Sequence, residues 1–383
     1  MKDKFTDPNN ETPNSPNHGT TTRMQQATKV WDDRIDSVKF WLVVLVIAAH
    51  VFMRKEFSDS KICTTFSNWI FTFSMPLFIF ISGYFSRKKD IKDLWPNIWK
   101  LLESLVIFHI IGLLFYVEPL SIKNILIPWY MVWYLLSLIY WRLLLQIIPD
   151  KILKHTKIVL ITTICISILA GFLPFNKVLA SQKTLALMPF FFLGYYMRGK
   201  NLYLPNKYKP LCAVFIIASL AILSFVPHRM SYLLCANPYH SISGAAIRII
   251  GFAVAIPMSI AFLNVCYHKP WVARQGKMSM QYYIFHALMI PPSAAIITPP
   301  LIVIAGKLNM PMSFLTAAII TIVTTVGLAL VLKIPYIKML TNPSLLFKNK
   351  KMSSCSVSKV LANGQINIIA DGKRFLVNGA QAE

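Results

Sequence analysis

Arg34-Ile-Asp36-Ser-Val-Lys39-Phe-Trp-Leu-Val-Val-Leu-Val-Ile-Ala-Ala-His50 is the stretch that decides what kind of protein this is. Residues 40–49 are apolar or aromatic without exception, an acid and a base precede them, and an ionisable ring closes the run. A charged interface followed by such a run is predicted to be a helix entering lipid. Lys39 lies eleven positions before His50, which at about 100° per residue is about 20° past three full turns, with a rise of about 16 Å. Lys39 and His50 therefore share one helix face, and Asp36, fourteen positions before His50, falls within about 40° of the same stripe.

The rest of the chain is of the same kind. Of 383 residues 55% are hydrophobic and 14% charged, and the mean hydropathy is +0.54, which excludes an ordinary soluble domain of this length. Candidate spans fall at about 38–53, 66–85, 101–117, 130–148, 157–173, 184–198, 211–227, 245–267, 280–305 and 313–334. The expected fold is all-α: a polytopic integral membrane protein of about ten transmembrane helices with both termini cytoplasmic. The ninth span carries Pro291, Pro292, Pro299 and Pro300 and is expected to be kinked or broken.

The formal charge of +24 would point to nucleic acid in a soluble protein. Here the Lys and Arg residues sit in short loops, five, three, four and three of them after spans two, four, six and eight when Lys157 and Arg198 at the span edges are included. The loops after the odd spans hold three, one, two, one and one. That alternation places the N-terminus inside and makes the lipid bilayer of the cell membrane, not nucleic acid, the expected partner.

Residues 1–30 are polar, rich in Asn, Thr and Pro, and read as a disordered cytoplasmic tail. The transmembrane domain is expected over 31–340. A cytoplasmic tail over 341–383 contains a candidate hairpin, Ile366–Val377, turning at Asp371-Gly372. Six cysteines without close pairs indicate neither a metal site nor a disulfide framework. Cys63 and Cys235 both fall in loops expected outside, where a disulfide could form.

An ionisable residue within a span marks a functional site by default. His50 leads the candidates, with Asp36 as its acidic partner and Lys39 as a cation for an anionic donor arriving from the cytoplasm. His50 also fits a hydrogen bond to a neighbouring helix, and Asp36 and Lys39 fit interfacial anchoring. The second span ends Met75-Pro-Leu-Phe-Ile-Phe-Ile-Ser-Gly-Tyr84-Phe-Ser-Arg-Lys-Lys89. Ser82 and Gly83 suit close helix approach there, Ser82 also reads as a nucleophile, and Arg87 and Lys88 suit either anionic lipid or a donor phosphate. Arg248 and His286 are further polar intrusions, fitting helix–helix hydrogen bonds or acceptor contact. Trp129, Tyr130, Trp133 and Tyr134 form an interfacial belt with sugar stacking as a second use.

These segments, together with Trp133-Tyr-Leu-Leu-Ser-Leu-Ile-Tyr-Trp-Arg142, Pro189-Phe-Phe-Phe-Leu-Gly-Tyr-Tyr-Met-Arg198 and Gly276-Lys-Met-Ser-Met-Gln-Tyr-Tyr-Ile-Phe-His286, resemble the acyltransferase-3 membrane proteins, in the branch similar to fucose 4-O-acetylase. The resemblance implies a core of about ten helices. It also implies transfer of an acyl group, usually acetyl from acetyl-CoA, to a hydroxyl of a sugar or cell-envelope glycan, with no tightly bound cofactor. His50 matches the family's essential histidine, Lys39 the basic position before it, and Ser82-Gly83 the small pair after the aromatic run. Lys in place of Arg keeps the charge but loses the bidentate phosphate geometry. Acyl transfer needs a base and a cationic donor site, the parts offered to His50 and to Lys39, Arg87 and Lys88. Ser82, Trp133, Arg248 and His286 are the residues offered to the acceptor. Direct transfer and an acyl-enzyme route use the same residues, and a secondary transporter would share the architecture.

Overall fold

A computed structural model of the chain describes residues 33–57, 59–116, 121–174, 177–224, 238–239, 241–308, 313–341, 356–360, 365–370 and 373–378. The expected tail 1–30 lies outside them. The order of helices is α1 (Asp33–Phe52), α2 (Lys61–Tyr84), α3 (Ile91–Tyr116), α4 (Ile122–Leu126), α5 (Trp133–Ile147), α6 (Asp150–Leu153) and α7 (Thr156–Ala170). They are followed by α8 (Ser181–Met197), α9 (Lys209–Ser224), α10 (Ser243–Val265), α11 (Pro270–Gly276), α12 (Ser279–Leu308), α13 (Ser313–Val331) and α14 (Pro335–Leu340). Each of the ten candidate spans falls on one of these helices, and seven, α1, α2, α3, α9, α10, α12 and α13, are long and apolar enough to cross a membrane. The other three, α5, α7 and α8, have 15, 15 and 17 residues. The protein is a helical, multi-pass membrane protein.

The connections sort into two groups by what they touch. At one end the Lys88 ammonium donates to the Ile148 carbonyl (2.7 Å) and pairs with Asp150 (2.8 Å). There too the Leu204 N–H donates to Asn264 Oδ1 (2.7 Å), Lys277 pairs with Asp33 (3.2 Å), and the Ser104 hydroxyl donates to the Thr341 carbonyl (2.9 Å). At the other end the Tyr130 hydroxyl meets His50, the Tyr239 N–H donates to the Gly171 carbonyl (2.6 Å), and Phe52 stacks on Phe314. Connections after even-numbered spans thus meet one another, and so do those after odd-numbered spans.

α1 and α2 form the centre, buried along most of their length. α2 and α8 lock through reciprocal glycines: a Cβ on Gly83 would collide with the Phe191 carbonyl, and one on Gly194 with the Phe80 carbonyl. α8 is buried through Ala186–Phe192 between its neighbours, so a short helix there meets protein before it meets lipid. Close backbone approach of this kind is how helices associate where lipid removes the hydrophobic drive. Gly83→Ala is expected to destabilise the protein by about 1–3 kcal/mol through forced separation of the two backbones, read as a lower thermal midpoint in detergent. An unchanged midpoint would remove α2–α8 contact from the account.

α12 runs as one helix through all four prolines, so of the two forms expected, kinked or broken, the broken one is overturned. The prolines fall in two adjacent pairs, so the lost N–H donors are confined to two turns, and in lipid any break would expose more unpaired backbone than it relieved. Cys63 is not in a loop: it is a buried free thiol in the first turn of α2, under the Ser60 cap. Cys235 lies outside the described residues.

The tail adds a small sheet to the helical body. β1 (Ser356–Val360), β2 (Gln365–Ala370) and β3 (Lys373–Asn378) pair in that order, antiparallel. β2 and β3 fall on the stretch Ile366–Val377, and the Ala370–Lys373 pairing leaves two residues between them. Those two, 371–372, lie outside the described residues, and β1 is a third strand beyond that stretch.

Candidate active site

The His50 end of α1 opens on a cavity of about 520 Å³. Its walls come from the end of α1 (His50, Met53), α2 (Phe71, Met75, Pro76), α3 (Leu113), the stretch leading into α5 (Asn124, Ile127–Met131, Trp133), the connection before α8 (Lys177, Ala180), the start of α8 (Lys183, Leu187) and α12 (Tyr283). All described contacts of these connections belong to the end where the odd-numbered ones meet.

His50 is held from three sides. The Tyr130 hydroxyl lies 2.7 Å from its Nδ1, the Phe71 ring meets it edge-on at 5.0 Å, and the His286 ring stacks on it at 5.4 Å with 29° between planes. With Nδ1 engaged, Nε2 is the nitrogen left for a ligand. His286 is fully buried behind His50 and is not part of the cavity wall. Its Nδ1 lies 2.6 Å from the Tyr283 carbonyl, which can only accept, so Nδ1 carries the proton and neutral His286 keeps its lone pair on Nε2. That Nε2 has no hydrogen-bond partner among the described residues.

The wall carrying Tyr130 is built deliberately. His109 on α3 accepts the Trp129 N–H at Nδ1 (3.1 Å) and therefore donates from Nε2 to the Ile125 carbonyl (2.9 Å), both nitrogens satisfied. The Trp129 ring fills the space over Gly112, where a Cβ would collide with it. Tyr130 then sits at φ 30°, and Leu179 and Ala180 at φ 50° and 56°, the three non-glycine residues of positive φ among those described. Backbone held in that region costs on the order of 1–3 kcal/mol and collects at functional sites. All three occur where the chain turns to face this cavity. Arg54, just beyond α1, donates to Glu56 Oε1 (2.6 Å), a hydrogen bond that holds the Glu56 carboxyl below its ordinary range. Arg54 is not part of the cavity wall, which carries two charged side chains, Lys177 and Lys183.

The other residues singled out from the sequence are not gathered here. Lys39 pairs with Asp36 (2.6 Å), with Asp36 itself buried, and its ammonium lies 6.0 Å from the Phe85 ring centroid at the opposite end of α1. Fourteen residues separate Asp36 from His50, a rise of about 21 Å, so Asp36 meets Lys39 and not the His50 ring. Arg87 is exposed at that same end, and Lys88 is occupied by Ile148 and Asp150. Ser82 is hydrogen-bonded to the Tyr134 hydroxyl (2.6 Å) and is not part of the cavity wall. Arg248 is fully buried, donating to the Ser167 carbonyl (2.7 Å) and lying over the Tyr239 ring at 4.5 Å; it too is outside the cavity. Trp133 does line it.

A helical membrane body enclosing a histidine-bearing, aromatic-walled cavity is the architecture of an integral membrane enzyme or carrier. Residues 32–333 match the family model Acyl_transf_3, an acyltransferase domain, and the chain belongs to that family of membrane acyltransferases. Comparison with curated proteins gives no match, and neither does comparison with solved structures.

Proposed function

We propose that the protein is a membrane O-acyltransferase that moves an acetyl group from acetyl-CoA to a hydroxyl of a sugar or cell-envelope glycan, with His50 as general base. The observation that carries this reading is His50 itself: a ring fixed at Nδ1 by Tyr130, stacked from behind by His286, and facing a cavity walled by Trp129, Tyr130 and Trp133. In the base form Nδ1–H donates to the Tyr130 hydroxyl and Nε2 receives the proton of the acceptor hydroxyl. The acceptor oxygen attacks the thioester carbonyl, and the tetrahedral intermediate expels the CoA thiolate. His50 returns its proton to the sulfur, which closes the balance. Tyr130 is a positioning residue, a hydroxyl in the place a carboxylate takes in a hydrolase triad.

The donor's phosphates belong at the other end of α1. Lys39, aligned with His50 on one face and oriented by Asp36, supplies the cation, with Arg87 exposed nearby. The thioester reaches inward along the pantetheine arm. This reading takes all ten long helices as crossings, both termini as cytoplasmic and the plasma membrane as the site. The support is the loop charge and the two groups of loop contacts. The motifs around Trp133–Arg142 and Pro189–Arg198 support the fucose 4-O-acetylase-like branch. Replacing Lys39 by Ala together with Asp36→Asn, so that no buried carboxylate is left uncompensated, is expected to raise KM for acetyl-CoA about tenfold. kcat at saturation should be little changed. A fall in kcat alone would place Lys39 in the chemical step instead.

A further inference from the structure

We infer that a second pocket, at the Lys39 end of α1 and on the side of that helix away from His50, binds the phosphoryl headgroup of an anionic phospholipid. None of the residues placed in acyl transfer is part of its described wall, so the site stands apart from that reading.

The pocket holds about 350 Å³, at the lower end of the range for small-ligand sites. Arg34 and Val38 of α1 form one wall, and the α8–α9 connection with Lys209, the end of α10 and the α10–α11 connection form the others. Arg34 lies sixteen positions before His50, about 160° past four full turns, so it belongs to the face of α1 away from the Lys39–His50 stripe. Trp41 ties the α10–α11 connection to α1, donating from Nε1 to the Tyr267 carbonyl (3.0 Å). Asn264 ties the α8–α9 connection to α10, donating to the Ile260 carbonyl (2.8 Å) and accepting from the Leu204 N–H (2.7 Å). Ser37 gives its one proton to the Asp33 carbonyl (3.1 Å) and so accepts from His268 Nδ1–H (2.9 Å). The walls are thus held by their own bonds before any ligand arrives.

Two permanent cations line the pocket, Arg34 and Lys209. Arg34 is held with its guanidinium 5.2 Å from the Tyr203 ring centroid. Every described wall except that of α1 comes from residues 151–370, a stretch of sequence without a single Asp or Glu. Of the acids in α1, Asp33 pairs with Lys277 (3.2 Å) and Asp36 with Lys39 (2.6 Å). Walls of that composition concentrate negative charge between them, and a forked guanidinium beside a point-like ammonium suits a phosphoryl group. The lipid source follows from what adjoins the pocket. Lys209 is the first residue of α9, whose apolar window is only 11% buried in protein, and Leu211, Val214 and Ile217 stand exposed along it. A headgroup in the pocket would lay its acyl chains on that apolar flank, whereas a soluble phosphate would leave the flank unused. Basic pockets between helices at the headgroup level are where anionic lipid is recognised.

The test titrates the full-length protein in detergent micelles with dioctanoyl phosphatidylglycerol or dioctanoyl phosphatidylcholine and counts bound lipid by native mass spectrometry. The anionic lipid is expected to bind on the order of tenfold more tightly than the zwitterionic one. In the double variant Arg34→Gln, Lys209→Gln that preference should shrink to within about twofold, with a thermal midpoint recorded alongside. Lys209→Gln alone, at an exposed position, should already take about threefold from it. Lys207→Gln, equally exposed but not on the pocket wall, should leave it intact. Equal binding of the two lipids, a preference that survives in Lys209→Gln and in the folded double variant, or an equal loss in Lys207→Gln would overturn the inference. So would displacement of the lipid by equimolar inorganic phosphate or adenosine 3′,5′-bisphosphate, which would make the ligand a soluble phosphate or the nucleotide of the donor.

Discussion

Replacing His50 with alanine is expected to lower acyl-transfer turnover by about 10²- to 10⁴-fold, the usual contribution of a general base, with the protein still inserted at normal abundance. The fold should survive because His50 is a wall residue of a cavity and its ring contacts, Phe71, Tyr130 and His286, remain packed by others. Alanine removes the only ionisable group of α1 on the cavity wall. His286 cannot simply substitute, since its ring is fully buried behind that position. The check is kcat in purified protein, alongside abundance in the membrane fraction and a thermal midpoint. Full turnover at normal abundance would remove His50 from the chemistry.

The second large effect is expected at Tyr130. Tyr130→Phe keeps the ring against His50 but deletes the hydroxyl on Nδ1. The imidazole then loses its tautomer and its orientation together, and partners of this kind are worth about 10–100-fold where they fix a working histidine. Because Phe preserves the wall of the cavity, the loss should appear in kcat, with KM for the acceptor changed little. Trp129→Phe, which by contrast changes the wall without touching Nδ1, should behave in the opposite sense, raising the acceptor KM. A Tyr130→Phe enzyme with unchanged kcat would show that His50 does not depend on its Nδ1 contact.

A long apolar run is a local signal, and each of the ten candidate spans falls on a helix, seven of them long and apolar enough to cross a membrane. That Lys39 and His50 share a face is likewise a property of one helix. The local cost of a missing N–H at the prolines of α12 is visible in sequence, and the larger cost of opening a helix in lipid is not. The pairing of Asp36 with Lys39, three residues on in the same helix, is a local contact of the kind that sequence spacing carries.

What sequence reasoning missed lies between segments. Tyr130 reached the first reading only as part of an aromatic belt, and its role depends on a left-handed turn and on His109 and Gly112 from another helix. Lys177 and Lys183 were counted as loop charge, since nothing local says that the loop folds inward. A weak signal was present in both cases: two lysines in a connection otherwise poor in charge, and an aromatic pair directly after a Pro. Arg248 makes a hydrogen bond of the helix–helix kind, to the Ser167 carbonyl, which was one of the two roles its place in a span allowed.

The most direct test of the central claim uses sealed membrane vesicles of known orientation, supplied with radiolabelled acetyl-CoA on the face bearing Lys39 and envelope glycan on the face bearing the cavity. Wild-type protein is expected to leave label covalently on the glycan, and His50→Ala at equal abundance to leave none above background. Label transferred equally by both proteins, or glycan accumulated across the membrane without covalent label, would contradict it.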